Sequence, residues 1–140
     1  HGEFIKKSNR NIKLAYVPRD ERGSKSILVD ADRGRLSQVI SNLLSNAIKF
    51  TEEGSVIVTT EINDNDNKNA IIVRVKDSGV GIDCEILPKL FAKFVSKSFQ
   101  GTGLGLFISK SIIEAHGGTI WAENNSDGKG ATFSFILPSS

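Results

Sequence analysis

The chain has 140 residues, 39% of them hydrophobic, 24% charged and only 3 proline, which suits one soluble folded domain and excludes a mostly disordered chain. Lys and Arg total 18 against 16 Asp and Glu, a net charge of +2. The basic residues are dispersed, so charge gives no reason to expect nucleic-acid binding. The lone Cys84 excludes an internal disulfide and fits a reducing compartment. No apolar run approaches the roughly 20 residues that span a bilayer, and no secretory signal is visible.

Residues 1–11 read as an N-terminal remnant or disordered edge, His1-Gly2 resembling a cut site or tag, and 12–140 as one domain. Segments 12–17 and 26–29 are strand-like and predict a hairpin or two edge strands. Asp32 is a candidate N-cap for a helix running to Phe50. Leu36, Val39, Ile40, Leu43, Leu44, Ala47 and Ile48 recur there at steps of three and four, one broad apolar face. Residues 56–62 and 70–77 predict two strands, joined by the polar 63–69 as a long exposed connection. From 78 to 103 periodicity fails, apart from a short helix at 84–90. A second helix, 103–116, should turn Leu104, Phe107, Ile108, Ile112 and Ala115 inward and end on Gly117-Gly118. Segments 119–123 and 131–137 are the closing strands around a turn at 124–130. This order predicts an α/β fold, a two-layer sandwich of a mixed, mostly antiparallel sheet against helices.

Polar residues on the first helix form a stripe. Asn42, Asn46 and Lys49 lie at about 0°, 40° and −20°, beside Val39 and Leu43 at about 60° and 100°. Asparagine is a mediocre helix former, so two at the core border call for a local reason. An amide oxygen is a hard neutral ligand for Mg²⁺, Lys49 suits phosphate and Phe50 offers a flat apolar face. The plain alternative is a solvated surface stripe.

Two glycine motifs follow. Asp77-Ser78-Gly79-Val80-Gly81-Ile82 continues directly from a strand. Strand parity puts Asp77 on the side of Val75, Val73 and Ile71, facing the core layer, where a carboxylate needs a donor. The exocyclic amine of adenine would serve, and glycines would let a flat base approach the backbone. The alternative is an ordinary Asp-Ser-Gly turn. Gly101-Thr102-Gly103-Leu104-Gly105-Leu106 opens the second helix, so backbone N–H groups and the positive helix end would face phosphate. It is neither a P-loop nor a Rossmann turn. Between the motifs, Phe91 and Phe94 could anchor a short flap that brings Lys93 and Lys97 to the terminal phosphate.

Taken in order, these segments resemble the catalytic and ATP-binding domain of sensor histidine kinases, within the ATPase superfamily that includes gyrase B, Hsp90 and MutL. Residues 32–50 look like the N box, 77–82 the G1 box, 91–94 the F box and 101–106 the G2 box. His116-Gly117-Gly118 and 128–138 look like the family's later segments. The resemblance implies a transferase that binds ATP and Mg²⁺. It makes Asn46 the Mg²⁺ ligand, Asn42 its partner, and Lys49 and the lid residue Lys97 phosphate contacts. Phe50 would lie beside adenine and Asp77 would read it, with Gly79, Gly81 and Ile82 on the base side. Gly101, Thr102, Gly103, Leu104 and Gly105 would line the phosphates, and Thr132 would approach adenine through water.

No residue of this chain is assigned as catalytic. Neither His1 nor His116 sits in the family's phosphoacceptor pattern, and His116 reads as a capping or packing residue. The implied partners are therefore ATP and ADP, a phosphoacceptor histidine dimerisation domain outside this chain, and a response regulator. The domain would be cytoplasmic, compatible with a membrane-anchored parent. A serine kinase of the anti-sigma-factor type, a gyrase-like ATPase and a degenerate adapter are the competing readings. Asn42 stands where a hydrolysing relative would carry glutamate.

Overall fold

The computed structural model describes residues 2–7, 10–18, 32–51, 53–65, 68–92 and 104–138, with only the backbone described for 2–18, 63–65 and 68–69. Among the described residues six strands form one sheet: β1 (Gly2–Lys7), β2 (Arg10–Pro18), β3 (Glu53–Asn65), β4 (Lys68–Asp77), β5 (Thr119–Asn124) and β6 (Ala131–Pro138). Their order is β1-β2-β3-β4-β6-β5. Among these described strands only β2 and β3 run parallel, so the sheet is mixed and mostly antiparallel as expected. Helices α1 (Arg33–Lys49) and α2 (Gly105–Ala115) cover one face.

The core follows from strand alternation. Val73 and Val75 of β4 lie opposite Phe135 and Phe133 of β6, and these side chains meet Val39, Leu43 and Ala47 of α1 and Ile112 and Ile113 of α2. Fully burying one such side chain is worth about 1.5–3 kcal/mol, so this apolar layer is the main force holding helices to sheet. Asp32 caps α1 as expected, its carboxylate accepting from the Arg35 N–H at 3.2 Å. At the other end, buried Thr51 donates its hydroxyl to the Ala47 carbonyl at 2.8 Å.

Several boundaries differ from the sequence reading. The sheet begins at Gly2: residues 2–7 are a strand paired antiparallel with β2, not a disordered edge. The partners of β2 are therefore β1 and β3, while 26–29, the expected hairpin partner, lies outside the described residues. Strands β3 and β4 pair as far as Asn65 and Lys68, leaving only residues 66–67 between them. The backbone ladder is indifferent to side-chain polarity, so the polar run lengthens the hairpin instead of looping out. The expected short helix at 84–90 reduces to a 3₁₀ turn at Leu87–Lys89, with Pro88 at its start. In α2 the buried positions are Ser109, Ile112 and Ile113, whereas Ala115 is exposed.

His116 joins the two helices. Its Nδ1–H donates to the Ile112 carbonyl at 2.7 Å, and its Nε2 accepts from the Asp32 N–H at 3.0 Å. The network thus selects the tautomer protonated on Nδ1. His116→Ala should lower stability by about 0.5–1.5 kcal/mol, since it removes the imidazole bridge between the exposed α1 cap N–H and the Ile112 carbonyl, which keeps its bond from the backbone N–H of residue 116. Urea unfolding measures this, and an unchanged midpoint would contradict the bridging role.

Candidate functional site

The site's first end is built where β4 runs out beneath α1. Asp77 continues the inward row of β4, and its residue is only 2% exposed. Its Oδ1 accepts from the Gly79 N–H at 2.9 Å and the Ala131 N–H at 3.2 Å. Its Oδ2 is buried and has no hydrogen-bond partner among the described residues. Burial pushes the carboxyl above the ordinary value of 3.8, while the Gly79 and Ala131 N–H groups pull it back in part. A buried acceptor with nothing to accept from is a standing demand for a donor.

The segment after Asp77 is tied to α1. The Val80 N–H donates to the Phe50 carbonyl at 3.2 Å. A Cβ on Gly79 would lie 2.0 Å from that same oxygen, so only glycine permits this approach. Phe50 is half-buried at the end of α1, and Lys49 beside it is exposed. Ile82 packs on the core.

The turn between β5 and β6 holds the same segment from the other side, which the sequence reading did not foresee. Asn124 accepts from the Ile82 N–H at 2.7 Å and donates to the Ile82 carbonyl at 3.0 Å. Asn125 donates to the carbonyls of Asp77 and Lys129, at 2.9 and 2.8 Å. The Asn124–Ile82 and Asn125–Asp77 bonds link residues 42 and 48 positions apart, so no local pattern announces them.

The second end lies at the start of α2. The amide Nδ2 of Asn42 donates to the Gly105 carbonyl and to Ser109 Oγ, both at 3.2 Å. That commits both amide protons and leaves Asn42 Oδ1 as its acceptor atom. Asn46 is half-buried one turn further along α1. Leu104 caps α2 without a side-chain hydrogen bond, so the first-turn N–H groups have no side-chain cap there. From Asn42 to Phe50 is eight residues, about 12 Å of helix, so α1 touches both ends. Among the predicted site residues, Asn42, Asn46, Lys49, Phe50, Asp77, Gly79, Gly81, Ile82, Leu104 and Gly105 are described. Lys97, Gly101, Thr102 and Gly103 lie outside the described residues, as does Phe94. Phe91 packs against the core.

Thr132 is not where the sequence reading expected it. It pairs with Lys76 on the sheet face away from the helices, and its hydroxyl donates to Asn125 Oδ1 at 2.6 Å. A cavity of about 550 Å³ opens on that face, lined by Thr59, Arg74, Lys76, Asn125 and Thr132 among others. It backs onto the Asp77 site instead of forming it.

Two helices on a mixed sheet form an α/β sandwich, with a buried acid whose Oδ2 has no partner among the described residues under one helix end and a helix start with no side-chain cap near the other. Residues 31–140 match the family described as histidine kinase-, DNA gyrase B-, and HSP90-like ATPase, and the chain belongs to that family. It is similar to the sensor histidine kinase WalK of Bacillus subtilis, at 38% identity over 81% of this chain and 19% of that protein. Sensor protein FixL of Bradyrhizobium diazoefficiens is 44% identical over 79% of this chain and 22% of its own length. The 140 residues thus span roughly a fifth of these relatives. Among solved structures, full-length ShkA in complex with AMPPNP superposes with a TM-score of 0.77 and 32% identity, covering 92% of this chain and 26% of that one. The nucleotide-free catalytic domain of histidine kinase ThkA gives 0.71 and 37%, covering 91% and 80%.

Proposed function

We propose that this domain binds ATP with Mg²⁺ and donates the γ-phosphoryl to a histidine on a dimerisation domain outside these residues, within a two-component sensor kinase. The observation that carries the reading is the unpartnered Oδ2 of Asp77, a buried acceptor fitted to the exocyclic amine of adenine. Gly79, Gly81, Ile82 and Phe50 would flank the base. The start of α2, with Leu104, Gly105 and the preceding Gly101, Thr102 and Gly103, would face the phosphates, joined by Lys49 and Lys97. Support for nucleotide binding comes from the family membership and from the ShkA structure, which is a complex with AMPPNP.

The metal would sit on Asn46, with Asn42 beside it. Amide oxygens are hard neutral donors, and Asn42 Oδ1 is the acceptor left over once both amide protons are committed. Bound there, Mg²⁺ supplies charge neutralisation on the phosphate oxygens.

In the transfer, an imidazole nitrogen of the acceptor domain forms a bond to the γ-phosphorus while the bond from that phosphorus to the bridging oxygen breaks. ADP leaves, and the imidazole proton passes to an acidic side chain of the acceptor domain. This chain holds the nucleotide in line and offsets charge as it moves. His116 is not the acceptor in this reading, because both its ring nitrogens are already bonded. We read 12–140 as the ATP-binding unit, with β1 an added edge strand, and a response regulator as the downstream partner. Among the described residues no helix is long and apolar enough to cross a membrane; a cytoplasmic domain, in a parent compatible with membrane anchoring, remains our reading.

Calorimetry with ATP, with and without Mg²⁺, tests this. The chain should bind ATP more tightly with the metal, and Asn46→Ala should lose about tenfold or more of that metal-dependent gain. Incubated with γ-labelled ATP, the chain should carry no label. Stoichiometric phosphate on His116, or an Asn46→Ala variant with an intact Mg²⁺ effect, would contradict the assignment.

A further inference from the structure

We infer that Asn125, helped by Asn124, is a positioning residue for purine selection: the β5–β6 turn aims the Asp77 carboxylate without itself reading the base. The inference rests on the proposed role of Asp77 and adds two residues that neither glycine motif contains.

The carboxylate's direction is set by what holds Oδ1, and one of its two donors is the Ala131 N–H. Ala131 is the first residue after the turn, so the shape of the turn decides where that N–H sits. Asn125 organises the turn. Its Nδ2 forks between the Asp77 and Lys129 carbonyls, its Oδ1 accepts from Thr132, and its backbone bonds to Gly130 and Gly128. A planar amide offers two donors and an acceptor in that arrangement; a carboxylate would set oxygen against oxygen. Asn124 meets Ile82 with a donor and an acceptor together, so consecutive residues grip both ends of the 77–82 segment. Gly130 closes the join, since a Cβ there would lie 2.0 Å from the Asp77 carbonyl.

None of these contacts involves Asn42, Asn46 or α2. Loosening the turn should therefore cost base selection while sparing phosphate binding. The ratio of ATP to GTP affinity separates this from a merely structural role, because general weakening moves both nucleotides together.

The test is calorimetric titration of the whole chain with ATP, GTP and inorganic tripolyphosphate for the parent sequence, Asn125→Ala, Asn124→Ala and Asp77→Asn. Asn125→Ala should lower the ATP-over-GTP ratio about tenfold and Asn124→Ala about threefold, with tripolyphosphate affinity unchanged within roughly twofold. If Asn125→Ala does not fold, Thr132→Val removes only the hydroxyl that orients the amide and should shift the ratio the same way by a smaller factor. Equal losses for all three ligands, or an unchanged ratio in every turn variant while Asp77→Asn lowers it, would overturn the positioning role and leave the base reading standing. An unchanged ratio in Asp77→Asn would overturn the base reading, and this inference with it.

Discussion

Asp77→Asn should weaken ATP binding by roughly 10- to 150-fold, the range expected for losing one charge-assisted hydrogen bond, without lowering the stability of the ligand-free chain. The two halves of that result share a cause. An oxygen sealed from water with no donor among the described residues raises the energy of the empty protein, and the same oxygen is what the base would satisfy. The pH dependence carries the same signature. Burial raises the carboxyl above 3.8 in the folded chain, so the native state binds more protons than the unfolded state from 3.8 up to the raised value. Stability from this group is thus greatest at the acid end, falls as pH rises through that window and is flat above it. ATP affinity should move oppositely, rising through the window as the acceptor ionises. Urea unfolding and calorimetry across pH, with Asp77→Asn flattening both slopes, check the assignment. An Asp77→Asn variant that binds ATP normally would refute it.

Gly130→Ala should destabilise the chain by about 3 kcal/mol or more and abolish measurable ATP binding. Gly130 has a φ of +81°, and an added Cβ would lie 2.0 Å from the Asp77 carbonyl oxygen and 2.8 Å from Oδ1. Backbone strain and steric overlap therefore act together on the residue that matters most. Gly128 is the control, two positions earlier in the same turn. Its φ is +82°, but nothing lies within 4 Å of the added carbon, so Gly128→Ala should lose only about 1–2 kcal/mol, the left-handed penalty. Its ATP affinity should be retained. Equal losses in the two variants, by urea unfolding, would show that conformation alone governs and that contact with Asp77 does not.

How far these features were legible in the sequence depends on the range of the interactions that make them. Helix α1 was plain because its cap and its three-and-four spacing are local, running from Asp32 through Leu43 to Ala47. Asp77 was placed inward by strand parity alone, and the buried carboxylate agrees. The shorter α2 gave fewer turns to average, so Ala115 was turned inward wrongly while Ile113 and the buried Ser109 were missed. Polarity misled at 63–69, where ladder bonds extend the hairpin regardless of side chain. The asparagine pair of the β5–β6 turn was invisible for a different reason. Asn124 and Asn125 look like ordinary turn residues, and their role arises only when the fold brings Ile82 and Asp77 against them.

The central claim is that one nucleotide lies along α1, its base at Asp77 and its phosphates at the start of α2. A crystal structure of the chain with ATP and Mg²⁺ tests it most directly. The adenine amine should stand within about 3.2 Å of Asp77 Oδ2, with the triphosphate between the Asn42–Asn46 stripe and Gly105. Nucleotide lodged instead in the cavity beside Arg74 and Lys76, on the opposite face of the sheet, would contradict the account.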